Sequence, residues 1–107
     1  MPEDINLKNI RNKYNIFPKK KLGQNFIFDK NILNKIINNI LPIKKYNIIE
    51  IGPGPGGLTL AILKNNPKKI ILIEKDCSFK KIIKNILSEF SIVDSELIID
   101  DFLQMDL

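Results

Sequence analysis

At 107 residues and 44% hydrophobic content, the chain is one domain or part of one, and it has apolar residues enough for a core but no run near the roughly 18 needed to span a membrane. It has no histidine and one cysteine, Cys77, which excludes histidine acid–base catalysis, histidine–cysteine zinc sites and an intrachain disulfide, and points to a reducing, cytoplasmic setting. The net charge of +5 is concentrated in residues 1–45, which suggests a polyanion, above all nucleic acid; Ile, Asn and Lys, all with A/T-rich codons, fill almost half the chain, so genome composition accounts for the lysines equally well.

Residues 1–28 read as a basic N-terminal arm. No period is sustained there, Pro18 and Gly23 break the chain, and Lys19, Lys20 and Lys21 form a candidate RNA-binding run. Asp29 can cap a helix to Leu41, whose apolar positions Ile32, Leu33, Ile36, Ile37, Ile40 and Leu41 make one stripe, stopped by Pro42. Residues 46–51 predict a buried strand. A glycine-rich turn follows, then a helix from Gly57 to Asn66 ended by Pro67. Lys69 to Ile73 predicts a second strand, closed by Glu74. Ser78 can cap a helix with the stripe Phe79, Ile82, Ile83, Ile86, Leu87 and Phe90; Glu96 to Ile99 predicts a short third strand, ended by Asp100 and Asp101. The start Met1-Pro2-Glu3-Asp4 lacks the features of a secretory signal.

The order is a helix, then β-α-β-α-β. Continuous apolar strands between amphipathic helices predict a parallel sheet covered on both faces. Right-handed crossovers place the second strand beside the first and the third beyond it. Residues 29–107 therefore read as a partial α/β domain, the first half of a doubly wound, Rossmann-like fold. In a full sheet of this kind the first strand is central. Its free apolar edge predicts that the isolated chain aggregates, dimerises or folds only in part.

The turn Glu50-Ile51-Gly52-Pro53-Gly54-Pro55-Gly56-Gly57 carries the chemistry. A strand that ends in glycines and feeds a helix lets the backbone approach a nucleotide and offers it N–H groups. Glycines 52, 54 and 56 fit G-x-G-x-G, and 52, 54 and 57 fit G-x-G-x-x-G, so two cofactor classes are open. Glu74 follows at about the 20-residue spacing from which a carboxylate reaches ribose hydroxyls; a solvated strand end is the plain alternative. Glu50 gives the turn the acidic-x-Gly-x-Gly-x-Gly form common in methyltransferases, where a carboxylate can order the loop and lie near the cationic end of S-adenosylmethionine. Asp101, ending the third strand, can accept from an adenine amine. Together these favour S-adenosylmethionine over NAD, with Gly52, Gly54, Glu74 and Asp101 as cofactor-binding candidates. Asp94, Asp100 and Asp106 show no metal-loop spacing, and no metal is expected.

A second stretch, Lys19-Lys20-Lys21-Leu22-Gly23-Gln24-Asn25-Phe26-Ile27-Phe28-Asp29, reads by itself as a surface loop with two aromatics turned to the core. Paired with Ile49-Glu50-Ile51-Gly52-Pro53-Gly54-x-Gly-x-Leu58-Thr59, it resembles the KsgA-type rRNA adenine dimethyltransferases, from about Lys19 to Asp106. Erm-type rRNA methyltransferases share Gln-Asn-Phe and the acidic turn but usually lack Gly-Pro-Gly, and rank second. The resemblance implies methyl transfer from S-adenosylmethionine to the exocyclic amines of adjacent adenosines in small-subunit rRNA. It also implies that Asn25 and the backbone at Ile27 touch the methionine part of the cofactor, that Gly52 lies beneath it, that Glu74 holds the ribose and that Asp101 meets the adenine. The family's catalytic motif, Asn or Asp followed by an apolar residue, Pro and an aromatic, comes after a fourth strand. No catalytic residue is therefore assigned here, and the chain is expected to be an inactive cofactor-binding part. The alternative is an rRNA-binding remnant that works without catalysis.

Overall fold

The computed structural model describes residues 29–106. The basic arm, Lys19 to Lys21, Asn25 and Ile27 lie outside the described residues.

Helix α1 (Lys30–Asn38) starts where Asp29, in extended conformation, accepts the amide of Asn31 at 2.8 Å; Leu33 and Ile37 form its buried face. Strand β1 (Asn47–Ile51) runs into the glycine turn, and α2 (Gly57–Leu63) leaves it. Strand β2 (Lys69–Glu74) follows, then α3 (Lys80–Ser88) and β3 (Asp94–Ile99). Single 3-10 turns lie at Ile43–Lys45, Cys77–Phe79 and Phe102–Gln104. The cap before α3 differs from expectation: Asp76, not Ser78, supplies the side chain, accepting the Ser78 amide at 2.9 Å. An Asx residue two positions before a free amide closes such a turn, which leaves Ser78 inside it. The first two helices also stop three residues short of the predicted ends, at Asn38 and Leu63. Past α1 the stripe continues as Ile40, packed on the core, and the exposed Leu41; past α2, Lys64, Asn65 and Asn66 carry no apolar side chain.

The three strands are parallel, in the order β1-β2-β3. Ile48 aligns with Ile70 and Ser95, and Glu50 aligns with Leu72 and Leu97. One face of the sheet, with Ile48, Ile70, Leu72 and Leu97, joins Ile37 of α1, Leu60 and Leu63 of α2 and Ile82, Ile83 and Ile86 of α3 in a single core.

The other face corrects an expectation. Ile49 is 60% and Ile51 53% exposed, and neither belongs to that core. Among the described residues the helices cover one face of the sheet; on the other face Ile73, at the end of the central strand, is still buried, while Ile49 and Ile51 on the edge strand are open. The reason is directional. Both crossovers step the same way across the sheet, and right-handed connections that step the same way place their helices on the same side. Covering the opposite face requires a chain that winds outward from β1 in the other direction.

Candidate functional site

In a parallel sheet every strand ends at the same edge, so the residues that close β1, β2 and β3 gather there, beside the glycine turn. Each strand of this sheet closes on or next to a carboxylate: Glu50, Glu74, and the pair Asp100 and Asp101.

The turn itself is shaped by three glycines of positive φ: Gly52 at 71°, Gly54 at 55° and Gly56 at 92°. Two of them do different work. A Cβ on Gly56 would come within 2.5 Å of the Ile86 side chain, so this glycine lets the start of α2 lie against α3. A Cβ on Gly52 would meet nothing within 4 Å. Its left-handed backbone faces open space at the mouth of the site, the cradle that a bound group would fill. The Gly52 amide extends the β1–β2 ladder by donating to the carbonyl of Ile73 at 2.8 Å.

Glu74 ties the edge together. It is 6% exposed, and its two oxygens accept from two loops: Oε1 from the Gly54 amide at 2.7 Å, Oε2 from the Asp76 amide at 2.9 Å. Each carboxylate oxygen has two acceptor sites, so one on each remains for a ligand hydroxyl. The Gly54 amide is thus committed to Glu74. The carbonyl of Glu74 receives the Asp100 amide at 2.9 Å, which joins the end of β3 to that of β2.

Glu50 is equally buried and differently held. Its Oε1 accepts the hydroxyl of fully buried Thr59 at 2.6 Å. Burial pushes its pKa up to about 7; the Thr59 bond pulls it down, and the negative charge of Glu74 adds to the rise. Asp101 caps the last 3-10 turn by accepting the Leu103 amide at 3.0 Å, and its other oxygen lies 3.9 Å from the Lys75 ammonium.

The fold therefore brings Gly52, Gly54, Glu74 and Asp101 to one edge, together with Glu50. Thr59 was missed by the sequence reading as a site residue. The signal was available: it is the lone polar side chain in the α2 run GLTLAIL, one turn along from the glycines. Among the described residues no cluster of three or more His, Cys, Asp or Glu could hold a metal ion, and no helix is long and apolar enough to cross a membrane.

Residues 17–107 match the family described as ribosomal RNA adenine dimethylase. The chain is 48% identical over 92 residues to ribosomal RNA small subunit methyltransferase A of Ehrlichia canis (strain Jake), which takes in 86% of this chain and 35% of that protein. It is 46% identical over 98 residues to the protein of the same name from Ehrlichia ruminantium (strain Gardel), covering 92% and 37% respectively. The chain thus spans about a third of the length of these curated relatives. Among solved structures, the 23S rRNA methyltransferase ErmE superposes with a TM-score of 0.64 at 24% identity, over 78% of this chain and 33% of that one. PH1948 of Pyrococcus horikoshii superposes at 0.68 and 19%, over 94% and 53%. At those identities the two structures speak for the fold alone, the first half of a Rossmann-like methyltransferase. With the motif pair, the strand-end carboxylates and the match over residues 17–107 in agreement, the chain belongs to the ribosomal RNA adenine dimethylase family.

Proposed function

We propose that this chain holds S-adenosylmethionine for the dimethylation of the exocyclic amines of adjacent adenosines in small-subunit rRNA, in the cytoplasm. The observation that carries the reading is the strand-end arrangement: a glycine turn with open space at Gly52, flanked by Glu74, which closes β2, and Asp101, two residues past the end of β3. The relatives' name, ribosomal RNA small subunit methyltransferase A, supports the choice of substrate.

The residues fit the cofactor's parts. Glu74, anchored by two amides, is preorganised to accept from both ribose hydroxyls without moving. Asp101 suits the adenine amine, and Gly52 leaves room for the methionine part. Asn25 and Ile27, outside the described residues, are assigned to that part as well, and Lys19, Lys20 and Lys21 to rRNA phosphates. When bound, S-adenosylmethionine supplies an electrophilic methyl group on its sulfonium; the protein's task here is to hold and orient it. No residue of this chain is assigned to the acceptor amine.

Calorimetric titration with S-adenosylmethionine tests the reading. Glu74→Ala is expected to weaken binding about tenfold or more, the worth of hydrogen bonds to a charged acceptor. Binding of NADH in place of S-adenosylmethionine would overturn it.

A further inference from the structure

The outward face of α3 carries a group of charges for which the cofactor reading has no use. Ile82, Ile83 and Ile86 turn the helix to the core, and Lys80, Lys81 and Lys84 lie on its exposed side. These lysines line an open groove of about 570 Å³, together with Cys77 and Ser78 before the helix and Ser88 at its end. No strand-end carboxylate lines it, so the groove is distinct from the cofactor edge. Because α3 begins just past the end of β2, the groove starts beside that edge and runs away from it along the helix.

The lysines are uncompensated. No acidic residue lies between Asp76 and Glu89, and the ion pairs among the described residues, Lys69–Asp94 and Lys75–Asp101, involve none of the three. Lys80 and Lys84 are i,i+4 neighbours and Lys81 and Lys84 are i,i+3 neighbours, spacings at which like charges weaken a helix. Lysines in the first turn also meet the positive end of the helix dipole. A/T-rich codons account for the number of lysines but not for this clustering: on α1, Lys30 and Lys35 share neither spacing. A bound polyanion relieves both costs.

We propose that this groove is a docking surface for the phosphate backbone of rRNA, with Lys80, Lys81 and Lys84 as its contacts. The inference rests on the rRNA reading above and adds a folded surface to the lysines of the N-terminal arm. Phosphate contacts position a nucleic acid without reading its sequence, and lysine supplies them as a point charge. An acidic protein fits the groove less well. Protein interfaces are anchored by buried aromatic or apolar side chains and are depleted in lysine, and no aromatic or aliphatic residue lines this groove.

The test is fluorescence anisotropy of the whole chain with a labelled small-subunit rRNA hairpin, from about 50 to 200 mM salt. Each phosphate contact contributes close to one unit to the slope of log affinity against log salt. The variant combining Lys80→Gln, Lys81→Gln and Lys84→Gln is therefore expected to lose about two to three units of slope, and about tenfold or more in affinity at the low-salt end. Its affinity for S-adenosylmethionine is expected to be unchanged, which reports a retained fold. A counterpart combining Lys44→Gln, Lys45→Gln and Lys68→Gln removes the same charge just before β1 and β2, at the opposite edge of the sheet, and is expected to keep most of the slope. An unchanged slope in the α3 variant, or equal losses in the two variants, overturns the proposal. Polyglutamate that displaces the RNA at equal charge concentration overturns it in favour of an acidic protein. Lysine acetylation of the unaltered chain requires no variant to fold: RNA is expected to protect Lys80, Lys81 and Lys84 and to leave Lys44, Lys45 and Lys68 reactive, and no protection overturns the proposal. Binding of S-adenosylmethionine without binding of RNA overturns this proposal and leaves the cofactor reading standing; binding of neither overturns both.

Discussion

The two faces of the sheet are built from the same residue type and meet opposite fates. Ile70 on one face is fully buried among three helices, while Ile49, on the neighbouring strand and the other face, is 60% exposed. On the covered face burial goes beyond packing: it takes in the carboxylate of Glu50 and changes what that group does near neutral pH. Apolar content alone does not say which side of a strand will be covered; the direction in which the chain winds does.

The largest test of that contrast is truncation on each face. Leu72→Ala, in the central strand and fully buried, is expected to cost about 2–5 kcal/mol. Ile49→Ala on the open face is expected to stay within about 0.5–1 kcal/mol in denaturant unfolding, because little packing is lost. Equal costs would mean that the open face is covered in solution.

The second test is pH. The pKa of Glu50 rises on folding from 4.5 to about 7, so across that window the folded chain holds a proton that the unfolded chain has released. Stability is then fully present below pH 4.5, falls as pH rises toward 7 and levels off above it. The loss attributable to this residue is about 3 kcal/mol. Thermal melts of the parent and of Glu50→Gln at pH 5 and pH 7.5 measure it. A parent–variant difference that does not change between the two pH values would refute the assignment.

Glycines of the turn give a third, smaller contrast. Gly56→Ala sets a Cβ against Ile86 at a backbone angle that L residues avoid, for an expected cost of about 1–3 kcal/mol. Adding Ile86→Val removes the opposing methyl and is expected to recover the steric part but not the backbone part. Gly52→Ala meets no neighbour, so its effect on stability is expected to be the smaller of the two and its effect on cofactor affinity the larger. A Gly56→Ala variant as stable as the parent would count against the close approach of α2 and α3.

Much of this was legible in the residues. The alternation of continuous apolar runs with one-sided stripes gives the β-α-β-α-β order, because those periods report local geometry. Asp29 was legible as a cap for the same reason: a cap bonds within three residues of itself. Ser78 was misread, since Asp76 competes for the same local amides and closes the turn first. Which face of the sheet stays open was also misread, since that depends on the relation between two crossovers rather than on any one segment. Thr59 was present in the motif yet carried no role, because its partner Glu50 lies across a turn and meets it only when the turn is folded.

The local pattern by itself determined that three strands end in carboxylates, that glycines open the first turn, and that a basic segment precedes them; each follows from residue type and near-neighbour sterics. The tertiary structure alone decided that Glu74 is fastened by two loop amides, that burial pushes the pKa of Glu50 up to about 7, and that Gly56 is required by a helix thirty residues away. Those properties depend on burial and on partners distant in the chain, and neither exists until the sheet and its helices have closed on each other.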